Sequence, residues 1–465
     1  MGRRETRPPR TGRPLEALAL VQDRLAFAAF CGRACPHPCE QKCVRNEFGA
    51  PISIMAIKRY AADIGYAAGI PPSAGGAAET RGPRVAVVGA GAAGLSAADT
   101  LARLGVPVTV FDSYGEPGGM MRYGAAEFRF PGNALLEDVD RVLARGVRFR
   151  GGITFGRDAT FSSLAAEGFD AVLIAVGARE ALRLPAAGGE EQGFHDALSF
   201  LVRVRERRFP RLRGRVVVIG GGNVAIDAAR CALRMGASAV TVACLESRAA
   251  MPAFEWEIEA AAREGVEFLP EIAVNRFRLK EGGVAAFEAR KVERIDLDAD
   301  GRVVPRTVPG SDFEVPADTV VTAIGTRADL SFLPEGVRRK PTDPGGRVFR
   351  LQFPGGEPKI AAYMCGDCVS GPGSVVEAAT SGREAALNIF EDLAVQEVGR
   401  ARYKDNYRRR PDPHEVDRPE GRVRRMAERL SPEAARGTFN EVEKRFTDEC
   451  ARAEAERCAR CNLPL

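Results

Sequence analysis

Residues 84–112 read RVAVVGAGAAGLSAADTLARLGVPVTVFD, and residues 215–246 read RVVVIGGGNVAIDAARCALRMGASAVTVACLE. Each opens on a short apolar run of strand length, turns through glycines, continues as a helical pattern and ends on a second apolar run closed by a carboxylate, Asp112 or Glu246. Such a unit suits a dinucleotide. Glycines allow a tight turn and a close backbone approach to the pyrophosphate, whose charge sits at the helix N-terminus. In the first unit these are Gly89, Gly91 and Gly94, with Asp112 placed to accept hydrogen bonds from ribose hydroxyls. In the second they are Gly220 and Gly222, followed by Asn223, with Ala225 in the third place, still small enough for close helix–strand packing. Glu246 at the end of that unit can bond both hydroxyls of an adenosine ribose and would repel a 2′-phosphate, so the second site is expected to take NADH rather than NADPH.

Two further apolar strands, AVLIAVGA at 171–178 and TVVTAIG at 319–325, end in glycine turns and bracket the second unit. The simplest architecture is α/β, with the second nucleotide domain inserted in the first, which resumes after Gly325 and closes near Ala394. Upstream, residues 15–30 and 51–69 carry apolar helical patterns, and residues 70–83 are a linker of turn formers. The last seventy or so residues form a polar tail ending in a helical stretch with Cys450, Cys458 and Cys461.

At 465 residues the chain is long enough for two or three domains. Lys plus Arg is 67 against 62 for Asp plus Glu, a net charge of +5 that argues for neither a nucleic-acid nor a membrane partner. The opening MGRRETRPPRTGRP has no apolar core behind its arginines, and no apolar run is long enough to span a bilayer, so a cytoplasmic protein is expected. Eleven cysteines, an odd number in a large chain without an export signal, argue for metal or redox chemistry over a disulfide framework.

Four of those cysteines lie in CGRACPHPCEQKC, residues 31–43. One continuous helix would spread Cys31 and Cys43 over about 18 Å of rise, but Pro36 and Pro38 forbid that helix. A loop wrapped around a 4Fe–4S cluster and held by soft thiolates fits Cys31, Cys35, Cys39 and Cys43; a zinc site is the other reading. On a helix, Cys450, Cys458 and Cys461 fall within roughly an 80° arc. Cys458 and Cys461 could share a metal, whereas Cys450 stands about 16 Å of rise from Cys461. Either the four N-terminal cysteines hold one cluster by themselves, or the tail folds back and Cys458 and Cys461 join one or two of them. Cys231 and Cys244 read as core. Cys365 and Cys368, flanking Asp367 in CGDC, read as small buried thiols beside a ligand.

With CGRACPHPCEQKC, VAVVGAGAAGLSAA, PGGMMRYGAAEFRFP, VVVIGGGNVAIDAAR and CGDCVSGPGSVVEAATSGREAA in view, the chain resembles the small subunit of bacterial glutamate synthase and its relatives. Among these are the N-terminal half of dihydropyrimidine dehydrogenase and the larger subunit of the NADH-linked ferredoxin:NADP transhydrogenase. The resemblance runs from about Leu15 to Ile389. It implies FAD on the first unit, a pyridine nucleotide on the second, and one or two 4Fe–4S clusters in an N-terminal helical domain. Gly118, Gly119 and Met120 would then lie near the flavin, and Gly366 and Asp367 would meet its ribityl chain. The implied division is a helical iron–sulfur domain and linker at 1–82, the FAD domain at 83–185 and 326–398, an inserted NAD(H) domain at 186–325 as in disulfide reductases, and a tail at 399–465. Two departures stand out. Where NADPH-using relatives carry Tyr-Arg-Arg after the second strand, this chain has Cys244, Leu245 and Glu246, although Arg248 follows close by; and a Gln or Glu that completes one cluster in relatives falls on Lys58.

Flavin exchanges a hydride with a nicotinamide, and a cluster takes electrons singly, so the expected enzyme is an NAD(H)-dependent FAD/iron–sulfur oxidoreductase serving as a subunit of a larger complex. Its partner would be an iron–sulfur or ferredoxin-like subunit of, for example, a 2-oxoacid or aromatic-acid-metabolising oxidoreductase. The alternatives are the small subunit of NADPH-dependent glutamate synthase and a flavoprotein scaffold without turnover. His37, His195 and His414 form no hydrolytic constellation.

Overall fold

The computed structural model describes residues 13–69, 82–184, 189, 192–299, 303–393 and 423–459. The strand Val85–Val88, buried at all four positions, is the middle strand of the parallel part of a seven-stranded sheet. In spatial order its parallel part runs Arg148–Gly151, Val108–Asp112, Val85–Val88, Ala171–Ile174 and Ala361–Cys365; the antiparallel hairpin Arg338–Pro341 and Val348–Gln352 covers one edge. The chain reverses direction across the sheet between Val85–Val88 and Ala171–Ile174, which opens a crevice at the carboxyl ends of the strands.

A second, wholly parallel sheet follows the same rule in the order Val266–Leu269, Ala239–Ala243, Arg215–Ile219, Thr319–Thr322 and Phe194–Asp196. All its strands fall in sequence between Ala171–Ile174 and Ala361–Cys365, so this domain is inserted in the first. The two crossing segments pair with each other, Glu180–Ala181 against Thr326–Arg327. Four antiparallel strands, Ile272–Lys280, Gly283–Leu297, Val303–Thr307 and Phe313–Pro316, extend the inserted domain. These are absent from the sequence reading because much of Gly283–Leu297 is polar and half-exposed, without the solid apolar run that marks a doubly covered strand.

The apolar pattern at residues 15–30 is divided between two helices, Pro14–Gln22 and Ala28–Cys31. The second starts where a carboxylate from another domain meets it: Asp138 accepts hydrogen bonds from the Ala29 and Phe30 N–H groups at 3.2 and 2.8 Å. Two more helices, Pro38–Gln41 and Ile54–Ala67, complete the cysteine domain. Gly32, at the end of Ala28–Cys31, permits that helix to approach Ile54–Ala67 closely, because a Cβ there would lie 2.6 Å from Arg59 Cα.

The domains are bound by a seam and a strap. The seam is residues 125–130 of the first domain: Phe128, fully buried, lies under the guanidiniums of Arg230 and Arg234 at 4.4 and 3.9 Å from its ring centroid. Glu264 bonds both arginines at 2.6 Å, and Arg129 bonds Asp227 at 2.9 Å and Glu257 at 3.0 Å. The strap is the tail, with helices Pro432–Arg436 and Asp448–Ala455. Its Val442 N–H donates to Phe128 O (2.9 Å), its Thr438 O accepts from Arg234 (2.8 Å), and its Glu441 bonds Arg33 and Arg59 of the cysteine domain at 2.8 Å each. Among the described residues no helix is long and apolar enough to cross a membrane.

Phe128→Ala should cost roughly 3–5 kcal/mol in denaturant unfolding, the range for truncating a buried aromatic side chain. Burial pushes the Glu264 carboxyl up, but hydrogen bonds from Arg234 and Arg230 outweigh it and hold the group below its ordinary 4.5. Its contribution is therefore complete above pH 4.5 and lost as pH falls through the lower folded value. The difference in melting temperature between the wild type and Glu264→Gln should be largest near neutrality and shrink as the pH falls below 4.5.

Candidate cofactor sites

The first glycine of each turn backs onto the exit of a neighbouring strand. A Cβ on Gly89 would lie 2.2 Å from Ala175 O, and one on Gly220 would lie 2.3 Å from Ala323 O; both residues have positive φ, 109° and 136°. Gly94 is equally constrained, its Cβ falling 1.8 Å from Gly89 O. In the second unit Ala225 is fully buried and its methyl is accommodated. The middle glycines differ. A Cβ on Gly91 or Gly222 would meet nothing within 4 Å. Each is an extended residue opening a helix, Ala92–Arg103 or Asn223–Arg234, with no side-chain cap. Open space in front of uncapped N–H groups is what a pyrophosphate requires.

Around the first turn, the Gly118 N–H donates to Ala90 O at 2.9 Å, and a Cβ on Gly119 would come 2.6 Å from Gly91 Cα, so the PGG turn lies against the glycine turn itself. Met120 follows half-buried on the helix Gly119–Tyr123. Asp112 ends its strand with the Ala90 N–H on one oxygen at 2.6 Å and the Tyr114 N–H on the other at 2.8 Å, retaining lone pairs for a ribose. From the far side of the switch point, Gly366 (φ 77°) places Asp367 at the start of the helix Asp367–Ser370. Burial raises the Asp367 carboxyl to about 6, and the Gly373 N–H counters part of that rise. Gly382, which the sequence reading passed over, lets the helix Val375–Asp392 touch the first nucleotide helix: its Cβ would fall 2.0 Å from Ala93 O. The small residues of TSGREAA are the signal that could have shown it. Cys365 and Cys368 are buried thiols, Cys368 pushed up to about 12 by burial.

At the second turn the Glu246 carboxylate reaches back over the glycines, its Oε2 lying 2.9 Å from where a Cβ on Gly221 would stand. Arg248 forks onto Glu255 through two bonds, at 3.0 and 2.8 Å. Asn223 accepts the Phe254 N–H at 3.0 Å. Beyond it a row of rings leads to the cysteine loop: Phe254 stacks on Trp256 at 4.7 Å, and Trp256 meets His37 at 4.5 Å. His37, with positive φ of 42° between two of the cysteines, thus has a structural contact that the sequence did not reveal.

The four cysteines at 31–43 are not gathered into one group, and among the described residues no three His, Cys, Asp or Glu side chains are close enough to hold a metal ion. Cys31 is fully buried and Cys35 nearly so, while Cys39 is exposed. Burial pushes Cys31 up to about 12; Lys58 pulls it down, and Cys35 raises it further. The same Lys58 and Cys35 act on Cys39, so these three thiols share one neighbourhood with the ammonium of Lys58. Cys43, half-buried, stands at the entry to the short helix Val44–Glu47. Cys450 is half-buried on the helix Asp448–Ala455, and Cys461 lies outside the described residues. Soft thiol donors, Cys31 and Cys35 within the packed core, fit an iron–sulfur cluster in kind.

Comparison with known proteins agrees with this layout. The family model of pyridine nucleotide-disulphide oxidoreductases matches residues 83–382, and that of dihydropyrimidine dehydrogenase domain II, 4Fe-4S cluster, matches residues 9–70. The chain is 36% identical to the NADP(+)-dependent formate dehydrogenase subunit beta of Moorella thermoacetica, over 97% of this chain and 67% of that one. It is 34% identical to the glutamate synthase [NADPH] small chain of Escherichia coli, over 83% of this chain and 84% of that one. A solved structure of Mycobacterium tuberculosis FprA in complex with NADPH shares the fold, with a TM-score of 0.54 at 20% identity over 72% of this chain and 88% of that one.

Because a Cβ on Gly91 meets no protein atom, Gly91→Ala should leave the unfolding of the FAD-free protein unchanged yet weaken FAD binding by tenfold or more, about 1.4 kcal/mol. Flavin fluorescence titration of the apoprotein reads this directly. Gly94→Ala, which drives a methyl into Gly89 O, should destabilise the apoprotein as well.

Proposed function

The chain belongs to the pyridine nucleotide-disulphide oxidoreductase family and is an FAD/NAD(P) iron–sulfur oxidoreductase, and from that premise we propose that it works with NADH as the nucleotide-handling subunit of a larger electron-transfer enzyme. The second domain, set at residues 186–325, takes the nucleotide, and the first, at 83–185 and 326–398, holds FAD. The observation that carries the reading is the pair Glu246 and Arg248. The carboxylate leans over the second glycine turn where an adenosine ribose would lie, and the nearby arginine that could have met a 2′-phosphate is forked onto Glu255. The formate dehydrogenase beta subunit, aligned over nearly the whole chain including most of the tail, is named for NADP(+). The difference proposed here is therefore one of nucleotide choice within a shared plan.

Bound FAD supplies the exchange between hydride pairs and single electrons. The chain's own residues would do the rest. Gly91 and the uncapped helix behind it receive the pyrophosphate, Asp112 the ribose, and Asp367 the ribityl chain. Gly220, Gly222 and Asn223 place the nicotinamide nucleotide, and the thiols of the cysteine domain hold 4Fe–4S. A partner bearing its own iron–sulfur centre fits the expected exit of single electrons. Likeness to a beta subunit over 97% of this chain favours this over a glutamate synthase small chain, whose alignment takes in 83% of it.

The test is anaerobic stopped-flow reduction at the flavin band. NADH should bleach the flavin with kcat/KM at least tenfold above that for NADPH. Glu246→Ala should narrow the ratio, and Glu246→Ala combined with Glu255→Gln, which frees Arg248, should invert it. Faster reduction of the wild type by NADPH would overturn the nucleotide assignment, and absence of bleaching by either would overturn the electron-transfer role.

A further inference from the structure

Residues 203–215 read RVRERRFPRLRGR, seven arginines and one glutamate, and lead into the amino end of the strand Arg215–Ile219. Four of the arginines are engaged. Arg205 donates to Ala125 O and Phe130 O at 3.2 and 3.0 Å, Arg207 bonds Glu127 at 2.7 Å, Arg208 bonds Glu206, and Arg215 forks onto Asp318 through two bonds of 3.0 Å. Arg203 covers the Phe209 ring, 5.0 Å from its centroid. Arg211 and Arg213 remain, both exposed, and among the described residues neither has a carboxylate partner. They line a cleft of about 430 Å³ together with Arg203, His195, Thr319 and Phe209. Among the described residues no Asp or Glu lines it.

The backbone that presents these arginines is held at both ends. Arg207 (φ 58°) follows the helix Ala197–Arg205 in a left-handed turn, and the Arg208 and Phe209 N–H groups both return to Arg203 O, at 2.8 and 3.1 Å. The Phe209 ring packs edgewise against His195 and Phe200 at 4.9 and 4.8 Å, and the Leu212 N–H donates to Met235 O at 3.0 Å. Size and charge then decide the occupant. A space of this order suits a small molecule. Three guanidiniums with no acid among them select an anion with more than one negative charge, and their forks match phosphate and carboxylate oxygens alike. Phe209, 7% exposed, offers little face on which to stack a nucleotide base. We propose that this cleft binds a small polyanion, bearing phosphate or carboxylate groups, at a site separate from both dinucleotide turns. Arg213 precedes the strand Arg215–Ile219 and Thr319 opens its neighbour, whereas Gly220 and Gly222 lie past the carboxyl end. The length of that strand, roughly 13 Å at about 3.3 Å per residue, separates the two places. The assignment holds whichever nicotinamide nucleotide the second domain takes.

The experiment is equilibrium dialysis of the full-length, FAD-loaded protein against radiolabelled inorganic pyrophosphate and, in parallel, radiolabelled citrate. Saturating NAD⁺ is present throughout, so that the pyrophosphate turns of both nucleotide sites are filled. The wild type should retain at least one probe, less tightly as salt is added. Combining Arg211→Gln with Arg213→Gln should weaken that binding by roughly tenfold or more. Arg276→Gln, which removes an exposed charge on the antiparallel extension, should leave it unchanged. Retention of pyrophosphate alone marks the ligand as a phosphate compound, and of citrate alone as a polycarboxylate. Retention of neither probe at millimolar concentration would overturn the proposal, as would equal binding by the wild type and the double variant. So would capture, through Arg211 and Arg213, of polyglutamate alone, which would make the cleft a docking surface for an acidic chain. Circular dichroism and FAD content of each variant exclude misfolding.

Discussion

Phe128, wedged between Arg230 and Arg234, is the contact on which the arrangement of the molecule depends. Two nucleotide domains joined only by two crossing strands would be free to turn against each other. The seam removes that freedom by sinking an aromatic ring of the first domain into the core of the second and surrounding it with ion pairs. The tail ties onto the same point through Val442 and Thr438, and the same stretch meets the cysteine domain through Glu441, so one short segment locates three domains.

That frame gives each cofactor a bare stretch of backbone and a carboxylate. The bare stretch is set by glycines that fit only as glycine, at Gly89, Gly94 and Gly220, and by glycines left facing open space, at Gly91 and Gly222. The first kind builds the turn, and the second leaves room for phosphate. Charge follows the same economy: buried arginines are matched by carboxylates at the seam and between Arg33 and Glu441.

Much of this was legible in the sequence because the nucleotide units are local. Strand, turn, helix and closing acid lie within about thirty residues, and short-range sterics dictate them. The insertion was legible too, since AVLIAVGA and TVVTAIG are solid apolar runs of the kind a doubly covered parallel strand needs. What escaped the sequence is long-range. The motif around Phe128 reads as part of a flavin-proximal stretch, and its role depends on Arg230 and Arg234, a hundred residues on. The break before Ala28 depends on Asp138. The antiparallel extension, with its half-exposed Gly283–Leu297, has no strong period to read.

The central claim is that flavin and iron–sulfur centres form one electron store open to NAD(H). Its most direct test is to reduce the purified protein fully under anaerobic conditions, remove the reductant, add excess NAD⁺ and compare NADH formed with bound FAD while following the cluster EPR signals. The account predicts more NADH than FAD, with the cluster signals disappearing as the surplus forms. One NADH per FAD with the clusters still reduced would contradict it, because the flavin would then exchange hydride without reaching the iron.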